Sequence, residues 1–198
     1  MTPSEIRRQI RNRRQNLSHQ QQNLHSRQVL DTLIETLFQE EEFHSPLKIA
    51  IFLSQDGELE TRPTIHYLWQ QKRHQVYLPV LETQPEWHMG FAAYHPASSM
   101  KVSRYGIEEP DLQPHQHLNG EEMDLVFMPL VAFDGNGHRL GMGGGFYDRS
   151  FAFKLKKPTA KPKLIGWAHS CQSVSKLPNE PWDVPLDGIV TENGFRYF

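Results

Sequence analysis

Cysteine is almost absent from this chain. Cys171 is the only one among 198 residues, which excludes an internal disulfide framework and a zinc site built mainly from thiolates. Long apolar runs are also missing, and the first residues are basic and polar, without the apolar core of a signal peptide. We therefore expect a cytoplasmic protein that is neither exported nor anchored in a membrane.

An excess of charge of either sign is absent as well. The 21 Lys and Arg residues nearly balance the 23 Asp and Glu residues, for a formal charge of -2. Such a chain has no general attraction to nucleic acid or to an anionic membrane, so we expect neither as a partner. The length and a hydrophobic content of 37% predict one globular domain over residues 1–198, and we expect a monomer that binds small molecules.

Two helix starts can be identified near the N-terminus. Thr2, Pro3 and Glu5 form the pattern of a capping box with proline in the first turn, which predicts a helix to about Leu17. A second, weaker capping box at Ser18 and Gln21 precedes apolar residues at helical spacing over 30–38. This second helix is expected to end before residue 44.

Short apolar runs after residue 48 predict strands that are buried on both faces. A helix through residues 65–69 separates the first two runs, which gives a strand, helix, strand unit typical of α/β proteins. The runs lie at residues 49–53, 76–78, 125–128 and 164–167, with 189–190 as a last candidate. Residues 82–122, which are rich in proline and lack periodicity, are expected to form loops and edge structure over one end of the sheet.

The most informative segment is a glycine-rich stretch at residues 133–149. Its glycines follow a predicted strand and precede a predicted helix near Gly145, where backbone N–H groups can gather around phosphate oxygens. It is neither a Walker loop nor a dinucleotide motif, because no Gly-Lys-Ser/Thr closes it and Phe146 occupies the third glycine position. A bare glycine run is more often a turn, but Arg139, Tyr147 and Asp148 add a cation, a polar aromatic and a metal ligand.

These residues make the sequence similar to the 5-formyltetrahydrofolate cyclo-ligase family. The family pattern of a strand, Pro, an aromatic-Asp pair and a glycine motif is matched here at residues 124–129, at Phe133-Asp134 and from Arg139 to Asp148. Corroborating segments at 52–61, 78–80, 107–110 and 172–183 extend the resemblance over nearly the whole chain. The resemblance implies one doubly wound α/β fold, with a mostly parallel sheet and helices on both faces.

The resemblance also implies a reaction. Members of the family use ATP as co-substrate and Mg²⁺ to close 5-formyltetrahydrofolate into 5,10-methenyltetrahydrofolate, through phosphorylation of the formyl oxygen and attack by N10. The implied catalytic residues are Arg139, Tyr147 and Asp148, and the implied Mg²⁺ ligands are Asp148 and Asp183. The implied ATP site comprises Arg7, Arg11, Arg139, Gly141, Gly143, Gly144, Gly145, Phe146 and Tyr147. The implied folate site comprises Leu53, Glu58, Tyr105, Met142, Gly143, Gly144, Gly145 and Phe146.

The residues themselves leave several alternatives open. Arg7 and Arg11 also fit a solvated basic helix, Glu60 competes with Glu58, and Asp183 and Tyr105 also fit a surface acid and a core aromatic. His115 and His117 are interpreted as surface residues, and His169 as a possible lining residue. Met142 and Gly144 stand where many relatives carry Arg or Lys, so phosphate charge must be compensated from elsewhere.

Rival functions are a different ATP-dependent enzyme on the same scaffold and a folate or nucleotide sensor without catalysis. Dependence of ADP release on the folate substrate would separate the first rival from a cyclo-ligase. The sensor is disfavoured by Arg139, Tyr147 and Asp148, since a pure binder does not need a full phosphate and metal set.

Overall fold

The computed structural model describes residues 1–81, 89–104 and 106–198. The predicted Tyr105 contact therefore lies outside the described residues. The α-helices are α1 (Pro3–Gln15), α2 (His19–Glu35), α3 (Arg62–Gln71) and α4 (Phe146–Ser150). The strands are β1 (Lys48–Ala50), β2 (Gln75–Leu81), β3 (Met89–Ala93), β4 (Met100–Val102), β5 (Glu108–Pro110), β6 (Leu125–Pro129), β7 (Ala132–Phe133), β8 (Arg139–Leu140), β9 (Lys163–Trp167), β10 (Gly188–Thr191) and β11 (Gly194–Tyr197).

Seven of these strands form one sheet in the order β11-β10-β9-β6-β1-β2-β3. The five inner strands are parallel, and β3 and β11 add antiparallel edges. Ala50 pairs with both Tyr77 and Val126, which places β1 between β2 and β6. The prediction of a mostly parallel α/β sheet is confirmed.

Two layers of apolar side chains cover the two faces of the sheet. Ile49 and Phe127 point to the face on which α2 and α3 pack through Val29, Leu33 and Leu68. Their neighbours in the strands point to the other face, where Phe151 at the end of α4 joins surrounding loops to close the core. The alternation follows from the period of two in a β-strand.

Helix α1 lies across the carboxyl ends of the strands. Ile6 and Ile10 are buried in a small cluster with Val131, Ala132 and Leu177. Both predicted capping boxes are present, with the side chains of Thr2 and Ser18 accepting from the backbone three residues on. The helix ends at Gln15 rather than near Leu17.

Several elements differ from the expectations. Helix α2 ends at Glu35, and two short 3₁₀ turns follow it. The described part of residues 82–122, expected to form loops and edge structure, does contribute β3 to the edge of the sheet, and it also forms a two-stranded ribbon of β4 and β5. Strand β11 was not predicted, because its residues are too few and too exposed to show an apolar pattern. No helix in the described ranges is long and apolar enough to cross a membrane.

Candidate active site

A cleft of about 960 Å³ opens at the carboxyl ends of β1, β2 and β6. Leu53 and Glu58 reach it from the segment after β1, and Leu130 reaches it from the end of β6. The glycine loop, residues 141–145, forms the facing wall. Ligands in open α/β sheets bind at the carboxyl ends of the parallel strands. The segment after β1 and the glycine loop, which the sequence analysis predicted to bind substrates, therefore meet at this end of the sheet.

The glycine loop connects β8 to α4. Gly143 and Gly145 have φ values of +102° and +64°, in the region that side chains other than glycine rarely adopt. Gly145 caps α4, which has only five residues. Such a short helix has a weak dipole, so the N–H groups of the loop itself are better suited to an anion than the end of the helix is.

Arg7 supplies positive charge to this loop from α1. Its Nε donates a 2.8 Å hydrogen bond to the carbonyl oxygen of Gly141. Its guanidinium lies so close to Gly143 that a Cβ at that position would be 3.4 Å from Nη2. Met142 and Gly144 carry no positive charge, and the cation beside the loop is instead Arg7 of α1, which is distant in the sequence but adjacent in space.

Arg139 and Asp148 are bound to each other. Nη2 of Arg139 donates to Oδ1 of Asp148 at 2.7 Å, and Nη1 donates to the carbonyl oxygen of Val184. The same Oδ1 accepts the Val184 N–H at 3.1 Å. Each terminal nitrogen of Arg139 therefore donates one hydrogen bond to a neighbouring protein group, which links β8 to α4 and to the chain that follows Asp183.

Asp148 and Asp183 both line the cleft. Oδ2 of Asp183 accepts the N–H of Glu180 at 2.8 Å. Within the described residues, no hydrogen bond reaches the remaining oxygen of either carboxylate. Carboxylate oxygens of this kind fit Mg²⁺, which is usually held by one or two carboxylates together with substrate phosphates.

The two acids after β1 have different surroundings. Glu58 lines the cleft, and burial is the main reason why the pKa of its carboxyl is raised. Gln55 donates its N–H to Oε2 of Glu58 at 3.0 Å. Glu60 does not line the cleft, and its Oε1 accepts from Ser54 and from the first N–H groups of α3. The structure therefore favours Glu58 over Glu60 as a ligand-binding acid.

Tyr147 lines the cleft beside the glycine loop. Burial raises the pKa of its hydroxyl well above the usual range, and the charge of Glu58 adds to this effect. The hydroxyl is therefore protonated at neutral pH. It can donate a hydrogen bond to a substrate oxygen, but it is a poor base.

The sequence model of the 5-formyltetrahydrofolate cyclo-ligase family matches residues 2–192. The chain belongs to this family. It is 46% identical over 143 residues to the 5-formyltetrahydrofolate cyclo-ligase of Escherichia coli K12, covering 72% of this chain and 76% of that protein. The Haemophilus influenzae protein of that name is 40% identical over 186 residues, covering 94% and 95%. A solved structure of Aquifex aeolicus 5,10-methenyltetrahydrofolate synthetase matches with a TM-score of 0.79, 30% identity and coverage of 100% and 93%.

Most of the residues implied by the family resemblance line this cleft, but Arg11 does not. Its Nε is 2.7 Å from Oδ2 of Asp56, two residues before Glu58. We therefore place Arg11 beside the segment after β1 and not among the residues around the glycine loop.

Arg14, Arg149 and Trp182 are among the cleft residues that were not predicted. Arg14 is buried and binds the carbonyl and carboxylate of Asp56 at 2.9 and 2.8 Å, and it lies 3.8 Å from Glu58. Arg149 donates to the carbonyl oxygen of Gly144 at 2.6 Å and lies over the Phe146 ring. Trp182 is 64% exposed and lines the cleft rim. Arg14 was detectable, since it lies four residues after Ile10 and eight after Ile6 on one helical face.

Proposed function

We propose that this chain catalyses the ATP-dependent cyclisation of 5-formyltetrahydrofolate to 5,10-methenyltetrahydrofolate, with release of ADP and phosphate. Membership of the cyclo-ligase family supports this proposal, as do relatives of that name aligned over most of both chains. The observation that carries it is the cleft itself, in which the glycine loop with Arg7 and Asp148 faces a partly apolar wall near Glu58. Such a cleft has one side suited to phosphates and one suited to a pterin.

The proposed chemistry requires no protein nucleophile. The formyl oxygen attacks the γ-phosphorus of ATP, and the bond between phosphorus and the ADP oxygen breaks. N10 then attacks the activated formyl carbon, loses its proton, and the carbon–oxygen bond breaks to release inorganic phosphate. Catalysis consists mainly of aligning two substrates and compensating charge on the transferred group.

The phosphate side of the cleft is assigned to the glycine loop. N–H groups of residues 141–145 and the guanidinium of Arg7 hold the phosphate oxygens, with Phe146 and Tyr147 next to them. Arg139 acts mainly by holding Asp148 in place. Asp148 and Asp183 would hold Mg²⁺, which when bound neutralises negative charge on the phosphates.

The folate side is assigned to the segment after β1. The Glu58 carboxylate accepts hydrogen bonds from N–H groups of the pterin ring, which needs a fixed acceptor pair. Leu53, Met142 and Phe146 add apolar contacts, and Tyr147 donates its hydroxyl proton in a hydrogen bond to a substrate oxygen. Tyr105 stays a predicted stacking partner.

We also propose that residues 1–198 act as one domain, as a monomer in the cytoplasm that binds no nucleic acid. The nearly balanced charge supports the assignment that it binds no nucleic acid, and a seven-stranded sheet with strands from residues 48 to 197 supports one domain. Sedimentation of the purified protein would test the monomer.

The test is a paired assay of the purified chain. We expect methenyltetrahydrofolate absorbance and ADP to appear in equal amounts when 5-formyltetrahydrofolate, ATP and Mg²⁺ are all present, and neither to appear when one is omitted. ADP formed at the same rate without the folate would identify a different ATPase. Binding of both substrates without turnover would identify a sensor.

A further inference from the structure

A second group of ligand-type side chains lies outside the cleft. His25 comes from α2, His169 follows β9 by two residues, and Glu192 directly follows β10. None of the three lines the cleft, and the proposed reaction uses none of them. The hypothesis that His169 lines the active site is therefore wrong.

The three ligand atoms are close enough to share one ion. Nδ1 of His25 lies 2.9 Å from Nδ1 of His169 and 3.7 Å from Oε1 of Glu192, and all three atoms lie within 4.8 Å of one another. Ligands about 2.1 Å from a tetrahedral zinc ion stand about 3.4 Å apart. The two distances fall on either side of that value, so small side-chain rotations would complete the geometry.

His169 is fully buried, and its Nδ1 lies in hydrogen-bond contact with Nδ1 of His25. Two ring nitrogens in such contact share one proton, so one of them presents a lone pair. A divalent cation in place of that proton would bind both nitrogens.

Ser170 holds the carboxylate of Glu192 in place. Its backbone N–H donates to Oε2 of Glu192 at 2.8 Å, and its hydroxyl donates to Oε1. Hydrogen bonds of this kind commonly orient carboxylate ligands in metal sites. The side chains of His25 and Glu192 are 16% and 9% exposed, which leaves a narrow access to an otherwise buried cluster.

We propose that His25, His169 and Glu192 form a site for a divalent transition metal of the zinc class, with water in the fourth position. Two imidazoles and one carboxylate suit zinc, whereas Mg²⁺ prefers ligand sets made of oxygen. The ion would tie α2 to the ends of β9 and β10. Its main effect is therefore on stability, and it is separate from the Mg²⁺ site assigned to the cleft.

The experiment is a Zn²⁺ titration of the metal-free, untagged protein followed by calorimetry. We expect one equivalent to bind and to raise the melting temperature. His25→Gln and Glu192→Gln should each weaken binding at least about tenfold and remove the thermal shift. His19→Gln changes an exposed histidine of the same helix and should leave both unchanged.

Two further measurements keep the result decisive. Asp148→Asn should retain the bound Zn²⁺, because Asp148 belongs to the cleft. Co²⁺ bound to the parent protein should give visible absorption bands, and His25→Gln and Glu192→Gln should both lose these bands. Melting curves without metal show that the variants are folded. Absence of stoichiometric binding, or parental Zn²⁺ affinity in both His25→Gln and Glu192→Gln, would overturn the proposal.

Discussion

Glu58 and Glu60 lie two residues apart, and their surroundings predict different consequences of mutation. Glu58→Gln should raise the KM for 5-formyltetrahydrofolate by at least about tenfold while leaving ATP binding without folate nearly unchanged, because an amide replaces a charged acceptor of the pterin N–H groups. Steady-state kinetics and separate ATP titrations measure the two effects.

The matched control is Glu60→Gln. Because Glu60 bonds to Ser54 and to the start of α3, this change should lower the melting temperature more than folate affinity. If Glu58→Gln weakens ATP and folate binding equally, the acid has a structural role instead.

Asp148→Asn tests the metal assignment. The amide oxygen can still accept from Arg139 and from the Val184 N–H, so the melting temperature should change little. Loss of the charged Mg²⁺ ligand should reduce turnover at least about 100-fold, with partial recovery as Mg²⁺ is raised. Rates across a Mg²⁺ titration check this, and near-parental turnover by a normally melting variant would leave Asp183 as the better ligand.

Asp56 should make stability depend on acid pH. Its hydrogen bond from Arg11 is the main cause that lowers the pKa of this carboxyl from 3.8 to about 2. The ionised form therefore stabilises the fold fully above pH 3.8, and this contribution is lost as the pH falls through about 2. Asp56→Asn should be less stable than the parent at neutral pH, with a difference that shrinks over this interval. Melting curves at several pH values measure it, and a difference independent of pH would contradict it.

At the scale of elements, α1 and the glycine loop depend on each other. Arg7→Gln should raise the KM for ATP at least about tenfold, because it removes the guanidinium beside Gly143. Arg13→Gln, an exposed change in the same helix, should have little effect. Equal effects of both variants in kinetic assays would mean that α1 acts only through its general charge.

At the scale of the whole molecule, the sheet holds in place the segment after β1 that carries Glu58. Trp167 in β9 is buried, and its Nε1 donates a 2.9 Å hydrogen bond to the carbonyl oxygen of Leu59, next to Glu58. Trp167→Phe leaves that buried carbonyl without its donor, which should cost about 1–3 kcal/mol of unfolding free energy and raise the KM for the folate.

Urea denaturation and kinetics check both parts of this prediction. Trp182→Phe is the control for stability, because Trp182 is mostly exposed and exposed substitutions usually change stability by no more than about 0.5 kcal/mol. Trp167→Phe with parental stability would show that the hydrogen bond to Leu59 contributes nothing to the fold.

The sequence by itself determined the features that depend on local patterns. The two capping boxes, the helix at Ile65 and the buried strands follow from residues close together in the chain. The mostly parallel sheet was implied by the family resemblance. The glycine motif from Arg139 to Asp148 is also local, so its resemblance to the cyclo-ligase family could be recognised without a structure. The spacing of Ile6, Ile10 and Arg14 contained one further local signal, since it places the arginine on the buried face of α1.

Only the tertiary structure decided which distant groups meet. Arg7 reaches the glycine loop across 134 positions, and Arg139 binds Asp148 and Val184. The start of α3 donates hydrogen bonds to Glu60 but not to Glu58, which distinguishes the two acids. His25, His169 and Glu192 come from three separate elements. No periodicity records such meetings, because they depend on how the strands are ordered in the sheet and on where α1 and α2 pack against it.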